Sequence, residues 1–296
     1  MSISIENVFV TEGLPEYTYV KPPNYNNILI DIKKKGKPVI IEGQSGTGKT
    51  STVLKIIEQL SSDIQFQYLT ARKKDDIATL FKLTREPYKG NFIIDDFHRL
   101  NKLMKSTLVD YAKIAADEGE NTIYPKLVII GINNIGSELL SLSPDITKRC
   151  GIHKILPGDW DTIKKLITTG EELLNIKFFR PKAIFNESQG DYWLTQVLCQ
   201  FACLNNDILS TEKEIKYVSV TIKDVRKQLI QKLESGYKEI VKDFARGKRF
   251  RPTNDAYFLL LKALSTEVET PFDLTEIANK NDNGTRLGIN KIKDLR

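Results

Sequence analysis

Residues 43–50 read Gly43-Gln44-Ser45-Gly46-Thr47-Gly48-Lys49-Thr50, and this stretch decides the fold of the 296-residue chain. It follows a short apolar run, Pro38–Ile41, and it leads into Val53–Ile57, where apolar residues recur at helical spacing. A strand, a glycine-rich loop and a helix in this order are the context in which the pattern G-x-x-x-x-G-K-[ST] binds phosphate. The sequence therefore predicts a P-loop between a buried strand and a helix.

The residue types of this loop have separable roles in holding a nucleoside triphosphate. Glycines allow successive N–H groups to turn toward an anion, and the following helix directs its positive dipole end at the same point. Lys49 supplies a charge for the β- and γ-phosphates, and the Thr50 hydroxyl is placed to ligate Mg²⁺. We therefore expect ATP and Mg²⁺ as cofactors. The predicted nucleotide contacts are Gly43, Gln44, Ser45, Gly46, Thr47, Gly48, Lys49, Thr50 and Ser51.

The bulk composition is that of an ordinary soluble globular protein, with 41% hydrophobic and 28% charged residues. The net charge of +6 permits nucleic acid as a partner without requiring it. The longest apolar run, Phe258–Leu261, is too short to span a bilayer, and Met1–Glu6 lacks the features of a signal peptide. Three cysteines do not form a disulfide framework, so we expect a cytoplasmic protein. Because the apolar runs are too short to span a bilayer, we expect no membrane partner.

Short apolar runs alternate with amphipathic stretches between residues 38 and 157. This alternation predicts an α/β fold, a three-layer sandwich with helices on both faces of a five-stranded parallel sheet. The predicted strands are residues 39–42, 64–69, 91–95, 126–132 and 152–156, and the predicted helices are residues 49–61, 74–84, 99–117 and 135–142. We expect residues 1–37 to pack near the nucleotide base, residues 38–157 to form the ATPase core, and residues 158–245 to form a helical lid.

Residues 246–296 have a pattern of their own. The basic stretch Arg246–Pro252 precedes helices predicted at 255–265, 273–280 and 285–296, with a glycine-containing turn before the last of them. Three helices in this arrangement are typical of a helix-turn-helix or winged-helix region. The predicted helices reach residue 296 before any wing strands, so we expect either a winged-helix-like region that is truncated there or a plain three-helix lid.

A second group of functional residues follows the predicted third strand. Phe92–Ile94 is an apolar run that ends in Asp95 and Asp96, about forty residues beyond the P-loop. In a P-loop enzyme the first acid of such a pair holds the Mg²⁺ shell, and the second orients or deprotonates the attacking water. We therefore assign Asp95 to the metal and Asp96 to the water. Because aspartate reaches one methylene less far than glutamate, we expect slow turnover.

Two further residues are candidates for contact with the γ-phosphate. Asn133 follows the strand predicted at 126–132, where its amide would bond the γ-phosphate or the lytic water, or would simply form a turn with Asn134. Arg149 precedes the fifth strand and would reach the γ-phosphate of its own chain or of a neighbouring subunit, or form only a surface ion pair. A finger arginine of this kind contributes ~10³-fold or more to the rate.

The order and spacing of these groups resemble the AAA+ superfamily. The matching motifs are Walker A at Gly43–Thr50, Walker B at Ile94–Asp96, sensor 1 at Gly131–Asn133 and the arginine finger at Lys148–Arg149. The Asp-Asp Walker B, the helical region after it and the winged-helix pattern are similar to the STAND branch of signalling ATPases. The opening Leu14–Val20 also resembles bacterial STAND-like proteins, some of which act in phage defence. The resemblance is specific over residues 38–150 and looser beyond them.

Two features depart from this resemblance. The sensor 2 arginine of many AAA+ lids has no clear counterpart near Gly190–Trp193. Tyr192 stands where STAND proteins often carry a proline against the adenine. Tyr192 or Trp193 would either stack on the base or pack within the lid.

The resemblance implies an ATPase that converts ATP and water slowly to ADP and phosphate, and that acts as a nucleotide-gated switch or assembly module. The implied partners are further copies of the chain or an effector protein. One alternative is an initiator or transposition-type AAA+ ATPase that grips DNA with its C-terminal region. The other is a pseudo-ATPase that binds nucleotide only as a structural element.

Overall fold

The structure is a computed structural model that describes residues 2–60, 64–132, 135–143, 145–246 and 256–266, together with residues 277, 286 and 289. The chain divides into two compact units, Met1–Val225 and Arg226–Arg296. Among the helices of these described ranges, none is long and apolar enough to cross a membrane.

The first unit is built on a five-stranded parallel sheet, which confirms the predicted α/β fold. Its strands are β1 (Val39–Glu42), β2 (Gln67–Thr70), β3 (Asn91–Asp95), β4 (Lys126–Gly131) and β5 (Gly151–Lys154). Their order across the sheet is β2-β3-β4-β1-β5. Since all five strands run parallel, the segments that follow β1 and β3 emerge at the same edge, where ligands of open α/β sheets bind.

Helices cover both faces of this sheet, and successive β1 residues face different helices. Val39 and Ile41 are buried in one apolar cluster with α2 (Tyr25–Lys33) and α3 (Lys49–Glu58). Ile40 is buried in a second cluster on the other face. The helices of that second layer are α4 (Lys74–Arg85), α5 (Lys102–Glu118) and α6 (Ile135–Leu142). The strand side chains alternate between the two layers because the side-chain period of a strand is two residues.

A helical region follows the sheet, as the composition beyond Pro157 predicts. It contains α7 (Trp160–Leu174), α8 (Pro181–Ser188) and α9 (Tyr192–Leu204), together with a two-stranded parallel sheet of β6 (Ile176–Phe178) and β7 (Lys216–Val218). Asp159 and Asp191 are the N-cap residues of α7 and α9, and each side chain accepts a backbone N–H of the first turn.

The N-terminal segment, which contains the short helix α1 (Ile5–Val8), packs on this helical region. The Ile5 N–H donates to Leu209 O at 2.9 Å, and Gln200 Nε2 donates to Phe9 O at 2.9 Å. The ring of Phe9 lies so close to Gly170 that α7 has no room for a side chain there. The first residues of the chain are therefore tied to the lid helices.

The second unit begins within α10 (Ile222–Arg246) and includes α11 (Ala256–Thr266), which matches the helix predicted at 255–265. Leu260 and Ala263 of α11 form an apolar cluster with Ile277 and Ile289. Most of the predicted helices at 273–280 and 285–296 lie outside the described residues, so the winged-helix-like region stays a prediction. Asn133 and Asn134 also lie outside them.

Candidate nucleotide-binding site

The glycine-rich loop joins β1 to α3, as the sequence predicts. Gly46 and Gly48 have φ angles of 87° and 78°, in the left-handed region that glycine adopts without strain. Gly48 is the N-cap residue of α3, so the unpaired N–H groups of the first helical turn point back toward the loop. The backbone is therefore shaped for an anion before any ligand contacts it.

Lys49 folds back over the loop that precedes it. Its Nζ donates to Gly43 O at 3.1 Å and to Gln44 O at 2.6 Å. Burial lowers the pKa of Lys49, and the charges of nearby carboxylates act in the opposite direction. The ammonium is thus held across the loop by neutral carbonyls, which a phosphate would replace as the stronger partner.

A hydroxyl and a carboxylate meet at the start of α3. The Thr50 hydroxyl donates to Asp95 Oδ2 at 2.7 Å, and the Asp96 N–H donates to Asp95 Oδ1 at 2.7 Å. Oxygen atoms of this kind suit Mg²⁺, which takes one or two protein ligands and completes its shell with phosphate and water. Within the described ranges, no group of three or more His, Cys, Asp or Glu residues forms a separate metal site. Thr50 and Asp95 therefore fit the predicted metal role.

Tyr68 belongs to the same cluster, although the sequence gives no sign of it. Its hydroxyl donates to Asp95 Oδ2 at 2.7 Å from β2, the neighbour of β3 in the sheet. Burial, followed by the hydrogen bond to Asp95, raises the pKa of Tyr68, so the hydroxyl stays a donor at neutral pH. Only the order of the strands reveals this contact.

Arg72 and Thr70 hold both carboxylate oxygens of Asp96. Arg72 Nε lies 2.6 Å from Asp96 Oδ2, and Nη2 donates to Oδ1 at 2.9 Å. The Thr70 hydroxyl donates to Oδ2 at 3.2 Å. Asp96 itself has a φ of 55°, a conformation that costs a non-glycine residue ~1–3 kcal/mol and that clusters at functional sites. The residue predicted to orient water is thus fixed by a bidentate arginine, which we name the Arg72 clamp.

Arg149, the predicted finger, contacts acids of its own chain. Its Nε donates to Asp117 Oδ1 at 2.6 Å, and its Nη1 donates to Asp145 Oδ2 at 2.6 Å. These contacts match the surface ion pair that is the alternative to a finger role for Arg149. A role at the γ-phosphate of another subunit stays a prediction.

The lid contacts the P-loop directly at the start of α9. The Trp193 N–H donates to Gly46 O at 3.2 Å. A Cβ at Gly46 would lie 2.7 Å from Asp191 Oδ1 and closer still to Oδ2, so the carboxylate oxygens occupy the space that a side chain at position 46 would need. The sequence gives no sign that Asp191 faces the P-loop.

Tyr192 is the first residue of α9. Its hydroxyl is buried and makes no hydrogen bond to any described residue, and burial raises the pKa of Tyr192 to about 12. Tyr19, from the N-terminal segment, donates its hydroxyl to Thr52 Oγ1 of α3 at 3.4 Å. Stacking of Tyr192 or Trp193 on a base stays a prediction.

No protein-family model matches the sequence, and no curated protein matches it either. Solved structures do match. Orc1 from Aeropyrum pernix, in complex with DNA, has a TM-score of 0.53 at 15% identity over 99% of this chain and 87% of that chain. Cdc6p from Pyrobaculum aerophilum has a TM-score of 0.51 at 19% identity over 70% and 68%. A RuvB variant from Thermotoga maritima has a TM-score of 0.50 at 17% identity over 88% and 83%.

The chain has the AAA+ P-loop ATPase fold. At these identities the likeness establishes the fold alone. Within the AAA+ fold the P-loop, the Asp95–Thr50 pair and the lid helix α9 meet at one edge of the sheet.

Replacing Gly46 with alanine tests the contact between the AAA+ P-loop and the lid. We expect the free energy of unfolding to fall by ~2–5 kcal/mol, because the backbone at position 46 is in the left-handed region and the alanine methyl group would collide with Asp191. Urea unfolding measures the loss. Gly13→Ala is the matched control, since Gly13 has a φ of 89° and nothing within 4 Å of an added Cβ. Equal losses in the two variants would contradict the contact.

Proposed function

We propose that the protein binds ATP with Mg²⁺, hydrolyses it slowly, and acts as a nucleotide-gated switch or assembly module of the STAND type. The observation that carries the proposal is the 2.7 Å contact between the Thr50 hydroxyl and the Asp95 carboxylate, with Asp96 next in the chain. It supports a metal-binding pair and a water-orienting acid beside the loop that would bind phosphate.

Each residue has a role in this proposal. The P-loop N–H groups and Lys49 bind the phosphates, and Thr50 and Asp95 hold Mg²⁺. Bound Mg²⁺ supplies charge neutralisation at the phosphoryl group. Asp96 orients the attacking water, with Asn133 as a further contact. Arg149 acts on the γ-phosphate of its own chain or of a neighbouring copy.

The Arg72 clamp supports slow turnover. A carboxylate that orients or deprotonates water needs an oxygen that can accept from that water. Both oxygens of Asp96 are already bonded, to Arg72 and to Thr70. An ionised carboxylate has about four acceptor sites, and Arg72 and Thr70 use three of those of Asp96. We therefore expect slow hydrolysis while the clamp fixes the direction of this side chain, and a clamp that held Asp96 away from water in every state would give the pseudo-ATPase.

Arg72→Ala should speed hydrolysis. We expect the turnover number to rise by a factor of ~3–10, because Asp96 then has more acceptor sites available and its carboxylate is free to turn toward water. ATP affinity should change by less than about twofold, since Arg72 does not contact the P-loop residues that bind phosphate. Steady-state phosphate release and calorimetric titration measure the two quantities.

Arg72→Lys is the matched variant for this prediction. Lysine keeps the charge but cannot bind both carboxylate oxygens at once. Its turnover should lie between those of the wild type and Arg72→Ala. A loss of turnover in Arg72→Ala would mean instead that Arg72 belongs to the catalytic arrangement.

Light scattering tests the switch itself. The mass of the wild type and of Asp96→Asn is measured with ADP and with ATP–Mg²⁺. We expect larger assemblies with ATP that persist in Asp96→Asn, where hydrolysis is blocked. Their loss in Arg149→Ala would support a finger that acts on a neighbouring copy. A monomer under every condition would remove the assembly mechanism.

DNA binding is a second candidate function. Orc1 from Aeropyrum pernix was solved in complex with DNA, and its likeness covers 99% of this chain, including the C-terminal region. Duplex binding that weakens steeply with salt, and that weakens further in Arg286→Ala and Lys291→Ala, would favour it. Duplex binding that neither substitution weakens would contradict this candidate function.

A further inference from the structure

The lid presents an acidic side chain to the loop that would bind phosphate. The Asp191 carboxylate packs on Gly46, near the middle of the P-loop, and the Trp193 N–H binds the carbonyl of the same glycine. Gly46 has a φ of 87°, so glycine suits this position for its conformation as well as for the space that the carboxylate takes. The contact therefore depends on both partners, a glycine in the loop and an acid in the lid.

Asp191 is held in this position by the start of α9. Its Oδ1 accepts the Leu194 N–H at 2.7 Å, as expected of an N-cap residue. Burial raises the pKa of the Asp191 carboxyl, while backbone N–H groups of Leu194 and Trp193 and the charge of Lys49 act in the opposite direction. A partly desolvated acid thus lies within the electrostatic reach of the lysine that would bind phosphate.

Two anions near one P-loop repel each other. A nucleotide brings several negative charges to the loop, and like charges a few ångströms apart in a partly buried site cost free energy. The carboxylate also interacts electrostatically with Lys49, the cation that phosphate needs. Either the nucleotide binds more weakly than it otherwise would, or the carboxylate leaves Gly46.

We propose that Asp191 sets the affinity of this site for nucleotide phosphate, as an acidic group of the lid that competes with phosphate for the P-loop. The inference rests on the proposed nucleotide binding and deepens it. A basic lid residue would attract the phosphates of a nucleotide, whereas the acidic Asp191 repels them. The lid therefore weakens nucleotide binding in this proposal.

The substitution Asp191→Asn separates this role from helix capping. Asparagine caps a helix N-terminus about as well as aspartate, so the contact with Leu194 is retained while the charge is removed. We expect ADP and ATP to bind about tenfold more tightly to Asp191→Asn than to the wild type, measured by isothermal titration calorimetry. We also expect the free variant to unfold at a temperature no lower than the wild type, because a desolvated charge is gone.

Asp159→Asn is the matched control. Asp159 caps α7 in the same way, with its Oδ1 accepting the Thr162 N–H at 2.8 Å, and it makes no described contact with the P-loop. Nucleotide affinity should stay within about twofold of the wild type in this variant. A gain of similar size in both variants would trace the effect to net charge and would overturn the role of Asp191.

The outcomes separate this inference from the function on which it rests. Nucleotide binding by the wild type, with no gain or a loss in Asp191→Asn, overturns the inference and leaves the proposed function standing. Binding by Asp191→Asn alone supports the inference in its strongest form. No binding by either protein, with both folded, overturns the inference together with the proposed function.

Discussion

ATP affinity should fall by about a hundredfold when Lys49 is replaced with alanine. Lys49 Nζ now donates to Gly43 O and Gln44 O, and a phosphate would replace these carbonyls with a charged partner. Loss of a charge-assisted contact costs about 3 kcal/mol, which is roughly a hundredfold in affinity. Calorimetric titration with ATP–Mg²⁺ measures the change.

Lys55→Ala is the control for this substitution. Lys55 lies on the same helix, α3, but its Nζ pairs with Glu58 at 2.8 Å, away from the loop. Its affinity for ATP should match that of the wild type within about twofold. A Lys49→Ala protein that keeps its fold and its ATP affinity would contradict the nucleotide site as a whole.

Hydrolysis should fall by a factor of ~10²–10⁴ in Asp96→Asn, because an amide cannot accept a proton from water as a carboxylate does. ATP affinity should not fall, since the side chain of Asp96 binds Arg72 and Thr70, and the substitution removes a negative charge that acts on Lys49. Single-turnover phosphate release separates the chemical step from binding.

Asp110→Asn is the matched control for the Asp96 substitution, because Asp110 is an exposed aspartate of α5. It should hydrolyse ATP at the wild-type rate. The wild type and Asp96→Asn could both bind ATP tightly and show the same negligible hydrolysis. That result would instead support the pseudo-ATPase, which binds nucleotide only as a structural element.

Local signals in the sequence predict most of the sheet and the central motifs. The bounds of β1 and β3 are as predicted, and the P-loop joins β1 to α3, because apolar runs that end in glycines or acids are visible within a few residues. The prediction for β2, residues 64–69, begins three residues before the observed strand and ends one residue before that strand does. The strand pairs with β3 only from Gln67 to Thr70, and that register depends on the neighbouring strand.

Contacts between elements that are distant in the chain cannot be predicted from the sequence alone. Arg72, Tyr68 and Asp191 reach the site only because β2 lies beside β3 and α9 begins at the P-loop. The predicted helical region does not single out α8, although proline is favoured in the first turn of a helix, where Pro181 lies. The roles of Asp95, Asp96, Asn133 and Arg149 stay predictions.

Trp193 gives this protein a built-in optical reporter. Its backbone N–H binds Gly46 O, and its indole Nε1 donates to Thr11 O at 2.9 Å, so one residue joins the P-loop, the lid and the N-terminal segment. The sequence has two tryptophans, and the other, Trp160, packs edge-on against Phe185. With Trp160 replaced by phenylalanine, the emission spectrum of Trp193 would follow events at the P-loop without any attached dye.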